Sequence, residues 1–351
     1  MKPNLFFTTC ALAAMFAGSH ARAFSAGDLI VSVSGDGTSA LSSSGNALTL
    51  QEFTTSGTAV GSLINTGVLV SGTATSEGAV TISPDGTTLT VAGYSTASTG
   101  TGSLSSRTDT LAPRQFNTIN VASGTAGTPV AVGTFSGNNI RGAVTSGSNT
   151  WLVGGTNGTV LYNGSLPVTT IQSTSANNRV VSVQNGNLYY STGSGTAGIY
   201  SLGNSPTTAT APTAVLTGVA GQGSSPYDYA FSPDGKTLYV ADSTAGVQKF
   251  TLSGSTWSLA YNITSTTTGI TGVAVDFSGT NAVVYAVNPT NLYSFTDLGA
   301  GGAFSSIATA GTNTAFRGLE ITPQAVPEPA TYGIVLLGAG ILLIRRRHLL
   351  S

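Results

Sequence analysis

Few residues in this 351-residue chain can do acid–base, nucleophilic or metal chemistry. The single cysteine is Cys10, and the only histidines are His20 and His348. All three fall in terminal segments that read as targeting signals. The body, residues 24–325, therefore carries no thiol and no imidazole. That excludes from the body a Cys or His nucleophile system, a His-based zinc site, a Ser-His-Asp triad and any disulfide. No metal and no cofactor is expected.

The carboxylates that stand out are Asp85 and Asp234, each inside a Ser-Pro-Asp-Gly turn. Such an Asp bonds nearby backbone N–H groups, and the two turns belong to different repeats, so no shared metal is expected. The stretch GSGTAG (193–198) spells a Gly-x-Gly-x-x-Gly pattern. No helix follows it, and a dinucleotide site needs a strand-to-helix turn, so a hairpin turn is expected. The sequons at Asn157, Asn163 and Asn262 read as turn and strand residues. Tyr227, Tyr229 and Phe231 alternate and are expected to share one packed strand face, with a sugar-stacking platform as the alternative. Five residues recur at or near the start of successive repeated strands: Glu77, Arg141, Arg179, Asp228 and Arg317. Of the seven basic residues in the body, three lie in this set. They would form a polar, partly cationic ring suited to carboxylates or acidic sugars. Alternatively, they salt-bridge Glu77, Asp228 and Glu320.

The elements that must position these residues show in an internal repeat. GAVTISPDGTTLTVAGY (78–94) and YDYAFSPDGKTLYVADS (227–243) each give an alternating run, a Ser-Pro-Asp-Gly turn and a second alternating run. This is a hairpin: Pro presets the early turn position, Asp bonds the backbone and Gly takes positive φ. Looser copies begin at Arg141, Asn178 and Ile270, and a last fragment at Phe316 has a first strand only. The starts lie roughly 40–60 residues apart, about one four-stranded propeller blade each. The N-terminal runs 27–35, 47–53 and 59–64 supply three strands without a first. Joining the two ends completes one blade. An all-β β-propeller follows, of six blades with seven as the alternative, closed by pairing of N- and C-terminal strands. A β-helix is disfavoured by the hairpins and a single sandwich by length.

Composition agrees. Charged residues are 7%, hydrophobic residues 40% and glycines number 46. Disordered chains lack such regular apolar runs, and Thr suits a pleated surface. The body holds twelve acidic against seven basic residues, which argues against nucleic acid, whose phosphates need clustered Lys and Arg.

Residues 1–23 read as a signal peptide: Lys2, an apolar core, then Ala21-Arg22-Ala23 as a small-x-small cleavage pattern before Phe24. Residues 326–351 end the chain with Val-Pro-Glu-Pro, an apolar run and Arg345, Arg346 and Arg347. Ala330 to Ile344 would span roughly 22 Å as a helix at about 1.5 Å per residue. A bilayer core is about 30 Å, so this transmembrane helix is short for a permanent anchor. The arginines should stay cytoplasmic, leaving the body outside. A plain single-pass anchor is the alternative.

The order Pro327-Glu328-Pro329, apolar helix, Arg cluster resembles the PEP-CTERM sorting signal of Gram-negative bacteria. The resemblance implies an exosortase as partner and transient residence in the inner membrane. It further implies delivery across that membrane to the cell surface or extracellular matrix, in a family linked with exopolysaccharide and biofilm. FSPDGKTLYVAD (231–242) resembles the repeat of YVTN/lactonase-like propellers, which bears on fold and not on function. The expected function is a non-catalytic surface or matrix protein that binds exopolysaccharide or mediates adhesion. The alternative is an extracellular lactonase- or hydrolase-like propeller enzyme.

Overall fold

The computed structural model describes residues 23–97, 102–156, 158–263 and 269–324. Among the described residues the chain is all-β apart from one 3-10 turn, Leu104–Ser106. Among the described residues no helix is long and apolar enough to cross a membrane. The transmembrane helix expected at 330–344 lies outside the described residues.

The first strands are β1 (Leu29–Ser34), β2 (Asn46–Phe53) and β3 (Ala59–Val70). Next come β4 (Val80–Ile82), β5 (Thr88–Tyr94), β6 (Arg114–Asn120), β7 (Thr125–Ala126) and β8 (Val130–Ala131). One four-stranded sheet holds β9 (Ile140–Ser146), β10 (Asn149–Gly154), β11 (Thr159–Tyr162) and β12 (Thr169–Gln172). A second holds β13 (Asn178–Gln184), β14 (Asn187–Thr192), β15 (Gly198–Gly203) and β16 (Thr213–Thr217). A third holds β17 (Pro226–Phe231), β18 (Thr237–Asp242), β19 (Gly246–Ser253) and β20 (Thr256–Ile263). The fourth holds β21 (Gly272–Asp276), β22 (Val283–Val287), β23 (Asn291–Thr296) and β24 (Ser305–Thr309). The last strand, β25 (Ala315–Ile321), pairs antiparallel with β1 from the other end of the chain, Leu29 opposite Ile321 and Val31 opposite Leu319.

The order β25-β1-β2-β3 thus gives one four-stranded group. It joins the group around β5 and β6 through a single pair, Leu69 opposite Tyr94. Several four-stranded antiparallel sheets of this kind make a propeller-like fold. The first strands of the groups neighbour one another in sequence: β25 lies against β4, β4 against β9, β9 against β13, β13 against β17, β17 against β21 and β21 against β25.

Both faces of each sheet are packed, which explains the continuous apolar runs. In β1, Leu29, Val31 and Val33 face Ala274, Tyr285 and Val287, while Ile30 on the opposite face meets Val80, Leu89 and Val91. Every apolar cluster joins one sheet to the next in this way, as where Trp151 and Leu161 meet Val181 and Tyr190. Burial of each such Leu or Ile is worth roughly 1.5–3 kcal/mol. The hairpin turns follow their sequence. Asp85 Oδ1 accepts from Ser83 Oγ (2.5 Å) and the Thr87 N–H (3.1 Å), with Gly86 at φ +71°. Asp234 repeats the arrangement with Ser232 and Lys236. These bonds hold both exposed carboxyls below their ordinary range.

Candidate functional site

Four of the first strands carry a one-residue slip near their start. In β9, Gly154 pairs with Ile140 and Val153 with Gly142, so Arg141 has no opposite number. In β13, Arg179 and Val180 share Ser191. In β17, Tyr227 and Asp228 share Ala241. In β25, Arg317 and Gly318 share Ser32. A bulge re-aims the side chains on either side of it, and here the leading bulged residue is Arg, Arg, Tyr and Arg.

Two of the facing residues are serines that fasten the bulge. Ser191 Oγ accepts the Val180 N–H at 3.1 Å and donates to Tyr227 O on the neighbouring first strand. Ser32 Oγ accepts the Gly318 N–H at 2.8 Å and donates to Gly78 O. Glycine is required where first strands come close. A Cβ at Gly318 would lie 2.6 Å from Val80 N, and one at Gly142 would lie 2.9 Å from Arg179 O.

The bulges bring Arg141, Arg179, Arg317 and Tyr227 together with Glu77, which precedes β4. Arg141 Nη1 donates to Asn177 Oδ1. Arg179 Nη1 donates to Ser225 Oγ at 2.8 Å, and its guanidinium lies 3.8 Å from the Tyr227 ring centroid. Arg317, 4% exposed, donates from Nη2 to Gly72 O. Glu77 is 1% exposed; its carboxylate accepts the Ser71 N–H (2.8 Å) and the Tyr94 hydroxyl (3.1 Å). The salt-bridged alternative for this set is not what the structure has: among the described residues none of these arginines makes an ion pair. The Nε of all three arginines is buried without a hydrogen-bond partner.

Burial pushes the Glu77 carboxyl up to about 7, against the pull of the Ser71 N–H, the Tyr94 hydroxyl, Arg141 and Arg317. Burial, and then repulsion from Arg179, brings Arg141 down to about 10. Arg179 and Arg317 are lowered by burial as well, opposed by Tyr227 and by Asp242 or Glu77.

Asp228 does not join this group, although its sequence position suggests it. The β17 bulge places Tyr227 beside Arg179 and turns the next residue away. Asp228 Oδ1 accepts the Tyr229 N–H (2.8 Å) and Oδ2 the Val273 N–H (3.1 Å). With Glu320 it lines a cavity of about 250 Å³ bounded by later residues of the first strands, including Ile82, Gln184 and Val275. Burial raises Asp228 to about 7. Glu320 stands well above its ordinary value, through burial and then the charge of Asp228. Tyr227 likewise leaves the aromatic face expected of it. Tyr229 and Phe231 pack against Tyr189 between two sheets, while Tyr227 lies under Arg179.

Sequence reasoning missed Tyr227 as the fourth bulged residue and the two serines. The serines stand in VSVSG (31–35) and YYST (189–192), each in the strand opposite a bulge. It also missed Arg114, fully buried and donating to the carbonyls of Ser105, Ala112 and Asn138. A further cluster lies between β19 and β23, where Lys249 pairs with Asp297 at 2.7 Å and Tyr239 and Tyr261 donate to the same carboxylate. Burial raises Asp297, but these bonds outweigh it and hold the carboxyl at about 2.

Ala23 is exposed, and Phe24 after it is buried with its N–H bonded to Val121 O. Ala21, Pro327, Glu328, Pro329, Arg345, Arg346 and Arg347 lie outside the described residues.

Residues 325–347 match the model of the PEP-CTERM protein-sorting motif. That motif implies recognition by an exosortase, export, and C-terminal processing to an extracellular or surface location. No curated protein matches the chain. Among solved structures, a chain from the crystal structure of a nidogen/laminin complex is similar at TM-score 0.54. It is 12% identical, and the match covers 84% of this chain and 98% of that one. At that identity the likeness concerns fold alone.

Proposed function

We propose that this is a non-catalytic, matrix- or surface-associated propeller protein of a Gram-negative bacterium that binds exopolysaccharide. In this reading residues 1–23 are removed as a signal peptide. Residues 24–325 form six blades closed by β25 on β1, and residues 326–351 are the sorting tail. The cyclic order of neighbouring first strands supports six blades and closure. FSPDGKTLYVAD supports kinship with YVTN-like propellers.

The observation that carries the function is the sorting motif at 325–347 behind a folded all-β body. The motif has no use unless the body is wanted outside the cell, and a body with two packed faces per sheet can persist there. The test is to express the protein in a host with and without its exosortase, then fractionate the cells and determine the C-terminus by mass spectrometry. Wild type should appear in the matrix fraction lacking its last residues. Replacing Pro327, Glu328 and Pro329 by alanine should hold the full-length chain in the inner membrane. Identical location and mass for both would end the reading.

A further inference from the structure

The three bulged arginines are an unusual expense for a chain so poor in charge. The Nε of each is buried and left unpaired. A buried donor without an acceptor is destabilising, and three gather in one place. The carboxylates acting on them do not neutralise them. Glu77 has both oxygens engaged by Ser71 and Tyr94. Asp242 attracts Arg179 from a distance, but its oxygens take the N–H groups of Ser225, Thr244 and Ala245. Arg141 and Arg179 repel each other, and the attraction of Glu77 and the Tyr227 ring leaves no ion pair on any of the three among the described residues. Arg141 and Arg179 are only partly buried and can be reached from solvent. The surrounding side chains are hydroxyls and amides: Asn177 on Arg141, Ser225 on Arg179, and Thr75 3.3 Å from the Tyr227 hydroxyl.

We infer that Arg141 and Arg179, backed by the buried charge of Arg317, form an oxyanion site that takes the carboxylate of a uronic-acid sugar, with the hydroxyl-rich rim receiving the sugar's own hydroxyls. Guanidinium forks match carboxylates in a paired geometry, and the four bulges supply the precise aim. The inference rests on the polysaccharide-binding reading above and specifies its ligand and its site. Asp228 and the cavity beside Glu320 have no part in it.

The test is calorimetric titration of the processed protein, recovered from its host, with tri-galacturonate, a neutral hexose trimer and inorganic phosphate. Tri-galacturonate should bind at least tenfold more tightly than the neutral trimer, and more weakly as salt rises. Arg141→Gln and Arg179→Gln should each lower that affinity tenfold or more. Lys236→Gln, an exposed cation elsewhere, should leave it unchanged. Melting temperatures of all variants identify any loss that is only misfolding, and Arg179→Lys, which keeps charge but not the fork, gives a second reading with an intermediate loss. Equal binding of neutral and acidic trimers, or unchanged affinity in folded Arg141→Gln and Arg179→Gln, overturns the site. Phosphate binding without uronate binding overturns the sugar assignment. A matrix pull-down separates this inference from the reading beneath it. If the double arginine variant still adheres as wild type does, polysaccharide binding stands and the arginine site falls. If wild type does not adhere, both fall.

Discussion

Two regions sit along the same set of first strands and differ in kind. Near the strand starts, three arginines share space with one carboxyl, Glu77. Farther along, Asp228 and Glu320 line a small cavity with no basic residue beside them. The chain separates them by one residue, Tyr227 from Asp228, and a bulge sends the two side chains to different places. Charge segregation in this fold is thus set by backbone slips and not by the spacing of charged residues along the sequence.

The contrast breaks most completely at Gly318. A Val there would force its Cβ against Val80 N and Ala79. Gly318→Val should lower the melting temperature by ~10 °C or abolish folding, since β25 lies against β4 while pairing with β1. An unchanged melt would show that the close approach is not needed.

The second effect is pH dependence. Glu77 and Asp228 both titrate near 7 when folded, and Glu320 stands well above its ordinary value. For a carboxyl raised by burial, stability is full below the unfolded value, near 4, and is lost as pH rises through the folded value. Stability should therefore fall between about pH 4.5 and 8, by several kcal/mol in sum at 1.36 kcal/mol per pKa unit. Asp297 is depressed and acts oppositely, contributing stability that disappears below about pH 4. Denaturant melts from pH 4 to 8 read this directly, and Asp228→Asn should flatten the curve. A rise in stability toward pH 8 would refute it.

The serines come third. Ser191→Ala leaves the Val180 N–H unpaired and removes one link between β13 and β17, which should cost about 1–3 kcal/mol in equilibrium unfolding. Smallest is Asp85→Asn, a surface turn change that should move the melting temperature by no more than about 1 °C.

Much of this fold is legible in the sequence because its signals are local. Ser-Pro-Asp-Gly between alternating runs specifies a hairpin, and the orphan runs at 27–64 and 316–323 supply the complement that β1 and β25 form. The site was legible only in part. Arg141, Arg179 and Arg317 stand out by type in a chain with little charge. Aligning the repeats at or near their strand starts puts Asp228 with them, however, and that alignment cannot tell the first residue of a bulge, Tyr227, from the second. Alternation puts Tyr227 on one face with Tyr229 and Phe231, because a bulge adds one residue that no period-two pattern records. Glu77 belongs to the loop before β4, where strand periodicity has no reach, and its position depends on Ser71 and Tyr94, bonds that composition does not reveal.

The central claim is that the arginines beside Glu77 act together on an anion. Glu77 is faced by Tyr94, Arg114, Arg141 and Arg317, and its ionised form competes with any bound carboxylate. The most direct measurement is tri-galacturonate affinity at pH 6 and pH 8 for wild type and Glu77→Gln. Affinity should fall severalfold with rising pH in wild type and stay level in Glu77→Gln. The same pH slope in both proteins would contradict the account.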